Sequence, residues 1–170
     1  MNEKDQTMNM TTSSNAPKIL KIGIHDVSCG RDVVIVEPAN LYGCRLDDCV
    51  FIGPFVEIQS GVVVGPRTRI QSHSFICELV RIGMDCFVSH GVMFINDKFS
   101  SGGPARGNTA MWKGTEIGDR VSIGTNTTLL PVSICSDVVI GAGSVVTSNI
   151  TVPGVYAGNP LKQLRKRFES

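Results

Sequence analysis

The sequence predicts an all-β chain wound as a three-sided parallel coil. Three observations carry the prediction. An aliphatic residue recurs every six positions, a small or β-branched residue lies four places after each of the later ones, and glycine often follows the aliphatic directly. From Val34 the six-step runs Val34, Asn40, Leu46, Ile52, Ile58, Val64, Ile70, Ile76, Ile82, Val88 and Phe94, with Asn40 alone not apolar. The companions are Val50, Val56, Val62, Thr68, Ser74, Val80, Cys86 and Val92. A period of six fits neither a helix nor a strand with two alternating faces. It fits a chain that turns a corner every six residues and points one aliphatic side chain inward from each flat. Glycine and small residues let the backbone bend at the corners. Three flats make one coil, and coils stack at ~4.8 Å through parallel hydrogen bonds. Ile52, Ile70 and Val88 then fall above one another, and each coil buries its inner face only through its neighbours.

Taken in order, residues 1–17 are polar and are expected to form a flexible tail, with the coil occupying 18–158. The repeat stops at Asp97, and "DKFSSGGPARGNTAMWKGTE" (97–116) is expected to be a loop thrown out of the coil. Long loops in compact domains are usually functional or disordered. The six-step resumes at Ile117, Ile123 and Leu129. Ile134 arrives one residue early, and Ile140, Val146 and Val152 restore the spacing. Residues 159–170, "NPLKQLRKRFES", read as a short basic helix started at Pro160.

The chain of 170 residues suffices for one domain with a real core. Its net charge of +1, with 18% charged residues, argues against a broad basic surface for a nucleic acid polymer. No apolar run approaches the ~18 residues of a membrane span. The polar N-terminus lacks a signal-peptide centre, so a cytoplasmic location is expected. None of the six cysteines forms a CxxC pair, which fits small buried residues in a reducing compartment.

The six-residue pattern from Val34 to Tyr156 resembles the left-handed β-helix of the hexapeptide-repeat acyltransferases. The handedness is what that resemblance implies. "VIGAGSVVTSNITVPGVYAGNPLK" is similar to the family's acetyl-CoA-binding end. "IGPFVEIQSGV", "IQSHSFICE" and "SHGVMFIND" resemble a narrower branch. That branch N-acetylates amino sugars carried on UDP or dTDP, notably 3-amino sugars made for surface glycans of the lipopolysaccharide or S-layer kind. The resemblance implies a homotrimer with active sites between neighbouring prisms. Outward Phe55, Phe75 and Phe87 also call for a partner surface. The chain departs from the branch at Ser60, where a basic residue is common, and at "FSS" in place of "FPR" after Asp97.

Acetyl transfer from a thioester to an amine needs a neutral amine, a donor for the carbonyl oxygen and both reactants held in line. His90, near a corner and outward, is a candidate base. It would equally serve as a histidine lining a subunit seam. His73, one coil earlier, is a candidate for substrate or partner contact, and His25 precedes the regular repeat. Asn96 and Asp97 lie one hexad past His90, at another corner of the same coil, up to ~20 Å away. A trimer would bring one from each chain together. The resemblance implies that Asn96 contacts the sugar amine, with Asp97 orienting it or holding the amine. Turn formation is the structural alternative for both.

Glu57, Gln59, Gln71 and Glu78 are candidates for sugar hydroxyls or the base, or equally for solvated surface. Backbone at Gly124, Gly141, Ala142 and Gly143 is expected to hold the pantetheine arm of CoA, although corner geometry also wants glycine there. Lys162 and Arg165, with Lys166 and Arg167, are candidates for the CoA phosphates, and Trp112 for the adenine or for pinning the loop.

Three other readings compete. A zinc enzyme on this fold, as in γ-class carbonic anhydrases, needs three converging histidines, and only His25, His73 and His90 exist; no metal is expected. An O-acetyltransferase would make a histidine base indispensable. A non-catalytic β-helix subunit would not bind CoA.

Overall fold

The computed structural model describes Ile19 and residues 21–166. The expected 1–17 tail, and the last four residues of the expected C-terminal helix, lie outside the described residues. Among the described residues, short strands of two to four residues rotate through three sheets of seven, six and eight strands, strictly so up to Val145–Val146. Beyond it a lone bridge at Ile150 stands in for a face 2 strand, and the last two strands both join the third sheet. Face 1 runs from Ile24–His25 to Val145–Val146, face 2 from Ser28–Cys29 to Ser133–Ile134, and face 3 from Val34–Ile35 to Gly154–Ala157. Pairing between successive coils is parallel and in register, so like stacks on like. Ile52 sits beside Ile70, Ile70 beside Val88, Val88 beside Ile123, and Ile123 beside Ile140. These side chains are buried to 1% exposure or less. At roughly 1.5–3 kcal/mol for each fully buried aliphatic, this inner column supplies the main stabilisation.

The companions at the corners are buried as well. Where they carry hydroxyls, each stitches two backbone segments. Thr68 Oγ1 donates to Gly83 O at 2.8 Å and accepts from Cys86 N at 3.0 Å. Ser74 Oγ donates to Ser89 O at 2.9 Å and accepts from Val92 N at 3.3 Å. Ser144 Oγ donates to Gly141 O at 2.6 Å and accepts from Gly158 N at 3.1 Å. Among the described residues no buried side-chain polar atom is left unpaired, as a dry interior requires.

The frame of the repeat differs from the expected one at both ends. Ile35 and Leu41, not Val34 and Asn40, share the inward register, pairing with Ile52 and Ile58. Leu41 is fully buried while Val34 is half exposed, so the polar Asn40 is an outward residue and no exception. At the other end Ile150, bridged to Ile134, is the inward residue, and Val152 is exposed.

Between faces 2 and 3, and between faces 3 and 1, successive inward residues are always six apart, as in Leu46, Ile52 and Ile58. All variation falls at the corner between faces 1 and 2. There the step is five from Leu41 to Leu46 and from Leu129 to Ile134, four from Val146 to Ile150, and 23 from Phe94 to Ile117. The early arrival of Ile134 and the extruded loop are thus the same feature.

The loop leaves after Met93–Phe94 and the coil resumes at Thr115–Ile117, two residues earlier than expected. It holds one 3₁₀ turn, Thr109–Met111. The expected C-terminal helix is not formed over its described part. Lys162–Arg165 is a strand that folds back antiparallel on Gly154–Ala157. The last coil offers an unpaired strand edge, and pairing it satisfies backbone groups that a helix would have left open to aggregation.

Candidate active site

The corner between faces 3 and 1 stacks most of the chemistry. One coil places Gly53 to Val56 there. The next ones place residues 71–74, 89–92, 124–127 and 141–144. A backbone ladder locks the register: Phe55 N donates to Pro38 O, His73 N to Pro54 O, Gly91 N to Ser72 O, Asn126 N to His90 O, and Gly143 N to Thr125 O. All five donors adopt positive φ between 57° and 67°.

His90 is exposed, and its Nδ1 lies 2.9 Å from Ser72 Oγ on the coil before. If Nδ1–H donates to that oxygen, Nε2 is left as an outward acceptor. His73 is stacked on Phe55, with ring centroids 4.9 Å apart and planes at 29°. Gln71 is half-buried at the same corner. His73 and His90 therefore fall in adjacent columns of this corner, His73 with Phe55 and Gly91 and His90 with Pro54 and Ser72, while His25 lies at the far end of face 1. Among the described residues no three His, Cys, Asp or Glu side chains gather into a metal ligand set.

The glycines of this corner separate into two kinds. A Cβ on Gly124 would lie 2.4 Å from Ala142 N, and one on Gly141 would meet the Ala157 Cβ at 2.9 Å. Tight stacking of coils accounts for both. Gly143 has φ +67° and faces open space, and Ala142 beside it is exposed. Of the glycines at this corner, Gly143 alone among the described residues leaves open space where a side chain would stand. Lys162 and Arg165 are exposed on the back-folded strand, beside Ala157 and Val155 in register.

The corner between faces 1 and 2 holds the remaining candidates. Gln59 Nε2 donates to Glu57 Oε1 at 3.2 Å, and Gln59 Oε1 accepts from Glu78 N at 3.3 Å. Asn96 Nδ2 reaches Glu78 O at 3.5 Å, and Asn96 O accepts from Lys113 N at 2.9 Å, which closes the neck of the loop. Asp97 spends both carboxylate oxygens on the loop. It accepts from Phe99 N at 2.9 Å and from Ala105 N at 2.7 Å. Its visible work is to hold the loop's shape. Trp112 is half-buried at the loop's return.

Tyr42, on the coil below Gln59, was not singled out by sequence. Burial, and then the Glu57 carboxylate, push its phenol up, while a hydrogen bond with Gln59 works against them. The signal that would have found it is the corrected frame, which sets Tyr42 directly after inward Leu41 as Gln59 follows Ile58. His90 and Asn96 lie on different corners of one prism.

Four of the six thiols are poorly placed for nucleophilic work, while Cys29 and Cys49 are exposed away from the histidine corner. Burial pushes Cys44 up to about 11 and Cys77 up to about 12, and burial also raises Cys86 and Cys135.

Residues 114–148 match a sequence family described as the hexapeptide repeat of succinyl-transferase. Solved structures share the fold. A mutant of perosamine N-acetyltransferase from Caulobacter crescentus, in complex with CoA and GDP-perosamine, superposes with TM-score 0.58 at 20% identity. The match covers 82% of this chain and 56% of that one, so this chain spans little more than half its length. A hexapeptide-repeat acetyltransferase from Vibrio cholerae complexed with acetyl-CoA gives 0.61 at 19% identity, covering 75% and 72%. A maltose O-acetyltransferase from Clostridium difficile gives 0.53 at 21%, covering 86% and 72%. At these identities the likeness establishes the fold.

Proposed function

We propose that the chain is a CoA-dependent acetyltransferase whose acceptor is the amino group of a UDP- or dTDP-linked amino sugar, with a 3-amino sugar the expected type. The observation that carries the reading is the corner between faces 3 and 1. It sets an outward histidine, oriented by Ser72, two coils from the open backbone of Ala142 and Gly143. The repeat match at 114–148 covers this open corner, and structural neighbours were solved with CoA, acetyl-CoA or a nucleotide sugar.

In this reading Ala142 and Gly143 lie along the pantetheine arm, and Lys162 and Arg165 meet the phosphates. The amine nitrogen attacks the thioester carbonyl, the C–S bond breaks, and the thiolate of CoA leaves. His90 Nε2 takes the proton that the amine sheds, with Nδ1–H donating to Ser72 Oγ. Asn96 holds the amine. Because His90 and Asn96 occupy different corners, they meet only across a seam between subunits of a trimer. The outward apolar residues support this: Phe75 and Met93 on face 1, beside Glu57, and Phe51 and Phe87 on face 3, on either side of Arg69, whereas face 2 presents Arg45, Arg81 and Glu116 with Val63. Faces 1 and 3 flank the histidine corner and are the ones a neighbour would cover.

A second reading, O-acetylation, is favoured by the Ser72–His90 pair itself, since a hydroxyl needs a base more than a sugar amine does. The test is thiol release from acetyl-CoA across UDP- and dTDP-amino sugars and matched hydroxyl sugars. Turnover confined to amines supports the first reading, turnover confined to hydroxyls the second. No release with either ends both.

A further inference from the structure

Phe55 and His73 occupy a costly place on the molecule. The corner register they fill demands positive φ, and bulky side chains avoid that region. Later coils fill the same register with Gly91, Asn126 and Gly143, which tolerate it far better. Two planar rings stand where glycine or asparagine would fold more easily. They point away from the core, stacked at 4.9 Å, and Phe55 remains 57% exposed. Other corners carry Cys49, Arg67 and Arg120 at the same positive φ, so the backbone alone marks no site; what sets this corner apart is an exposed pair of stacked rings with a cavity at its side.

Beside Phe55 lies a cavity of about 220 Å³. Ile22, Pro38 and Ala39 contribute apolar lining, and Asn40 and Glu57 contribute the polar groups. An aromatic platform, apolar walls and one amide with one carboxylate suit a flat heterocycle read along its edge. A carboxylate accepts from an imino N–H, and an amide N–H donates to a neighbouring carbonyl. Uracil and thymine present that edge, and guanine presents the same imino N–H beside a carbonyl on a larger bicyclic ring, so the test sets GDP against UDP and dTDP. Cytosine and adenine lack the imino N–H. The position along the coil fits as well. Pro54, beside Phe55, lies one coil before Ser72 and two before His90. Two strand spacings are roughly 10 Å, a gap of the order that a ribose and diphosphate bridge.

We propose that Phe55, backed by His73 and edged by Asn40 and Glu57, is the nucleobase subsite for a uracil or thymine nucleotide, which lies along the corner with its far end at His90. The assignment rests on the acetyl-transfer reading only for what lies at that far end. Binding of the bare nucleotide tests it separately.

The experiment is calorimetric titration of the full chain with UDP, dTDP, GDP, CDP and ADP, using wild type, Phe55→Gly, Phe55→Tyr and Glu57→Gln. UDP or dTDP is expected to bind at least about ten-fold more tightly than GDP, CDP and ADP. Phe55→Gly is expected to weaken UDP about ten-fold or more, as loss of one stacked base does. It should melt no lower than wild type, because glycine relieves the positive φ. Phe55→Tyr should keep the affinity, and Glu57→Gln, which leaves the backbone untouched, should erase the preference over CDP. Failure of UDP and dTDP to bind, equal affinity for GDP, CDP or ADP, or Phe55→Gly binding like wild type would each overturn the assignment. Base-selective binding that depends on Phe55, without acetyl transfer to any amino sugar, would uphold the subsite and sink the acetyl-transfer reading. Transfer to an amino sugar with an unchanged KM in Phe55→Gly would do the reverse.

Discussion

Ser72 and His90 are eighteen residues apart in sequence and one coil apart in space, with Oγ 2.9 Å from Nδ1. The pair exists because the solenoid repeats its corner at that interval. It gives the first prediction. With an amine acceptor near neutral pH, His90→Asn should reduce kcat by less than the ~10²–10⁴-fold typical of an essential general base. The deficit should narrow as pH rises and the amine loses its proton unaided. Ser72→Ala should cost about ten-fold or less, the worth of one ordinary hydrogen bond. A pH–rate profile of both variants checks this. A loss that stays constant to high pH contradicts the amine reading.

Glycine substitutions should separate stacking from binding. Gly124→Ala places a methyl 2.4 Å from Ala142 N and should destabilise by about 1–3 kcal/mol through overpacking. Gly143→Ala meets nothing within 4 Å but sits at φ +67°, so its cost should be about 1–2 kcal/mol. Urea unfolding measures both. In the acetyl-transfer reading, Gly143→Ala should in addition raise the Kd for CoA.

The buried hydroxyls predict a second stability effect. Thr68→Val keeps the shape but strands Gly83 O and Cys86 N, both paired through Thr68 Oγ1. The expected loss is about 1–3 kcal/mol in urea, as for other stranded buried groups. Thr68→Ser, which keeps the hydroxyl, should recover most of it.

A charge ladder runs along the corner between faces 2 and 3. Arg67 clasps Asp85 with two bonds of 2.7 Å, and Arg120 clasps Asp137 at 2.9 and 2.7 Å. The hydrogen bond from Arg67 holds the Asp85 carboxyl below the ordinary carboxylate range, and the backbone and side chain of Arg31 do the same for Asp48. A carboxylate depressed by folding contributes stability above its unfolded pKa, and loses it as pH falls through the folded pKa. The melting temperature should therefore fall below about pH 4. Asp85→Asn should flatten that decline. Because the ladder is exposed, added salt should shrink the difference between the two proteins.

Thiol chemistry checks the core. Cys29 and Cys49 are exposed, whereas Cys44, Cys77 and Cys86 are buried with raised pKa values. A thiol reagent on native protein should label two cysteines promptly and reach the buried ones only on unfolding. Prompt labelling of Cys77 would show that the coil opens locally there.

The repeat was legible in sequence because the solenoid is quasi-one-dimensional. Each inward residue meets its counterpart one coil away, so burial is written as a period, and Ile52 to Phe94 could be assigned by counting alone. That period also announced the corners, and with them the outward placement of His90 and the separation of His90 from Asn96. Counting failed where the period is not the rule. At the coil's lower end, burial of Leu41 shifted the frame that Asn40 had seemed to break. At the upper end, an unpaired strand edge drew residues 162–165 into a strand despite their helical look. Tertiary structure alone paired Ser72 with His90, stacked Phe55 on His73, committed Asp97 to its loop, and gathered every irregular step at one corner. Periodicity reports which side chains face the core. The partners of outward side chains are chosen by the stacking of coils, and only the folded chain brings those together.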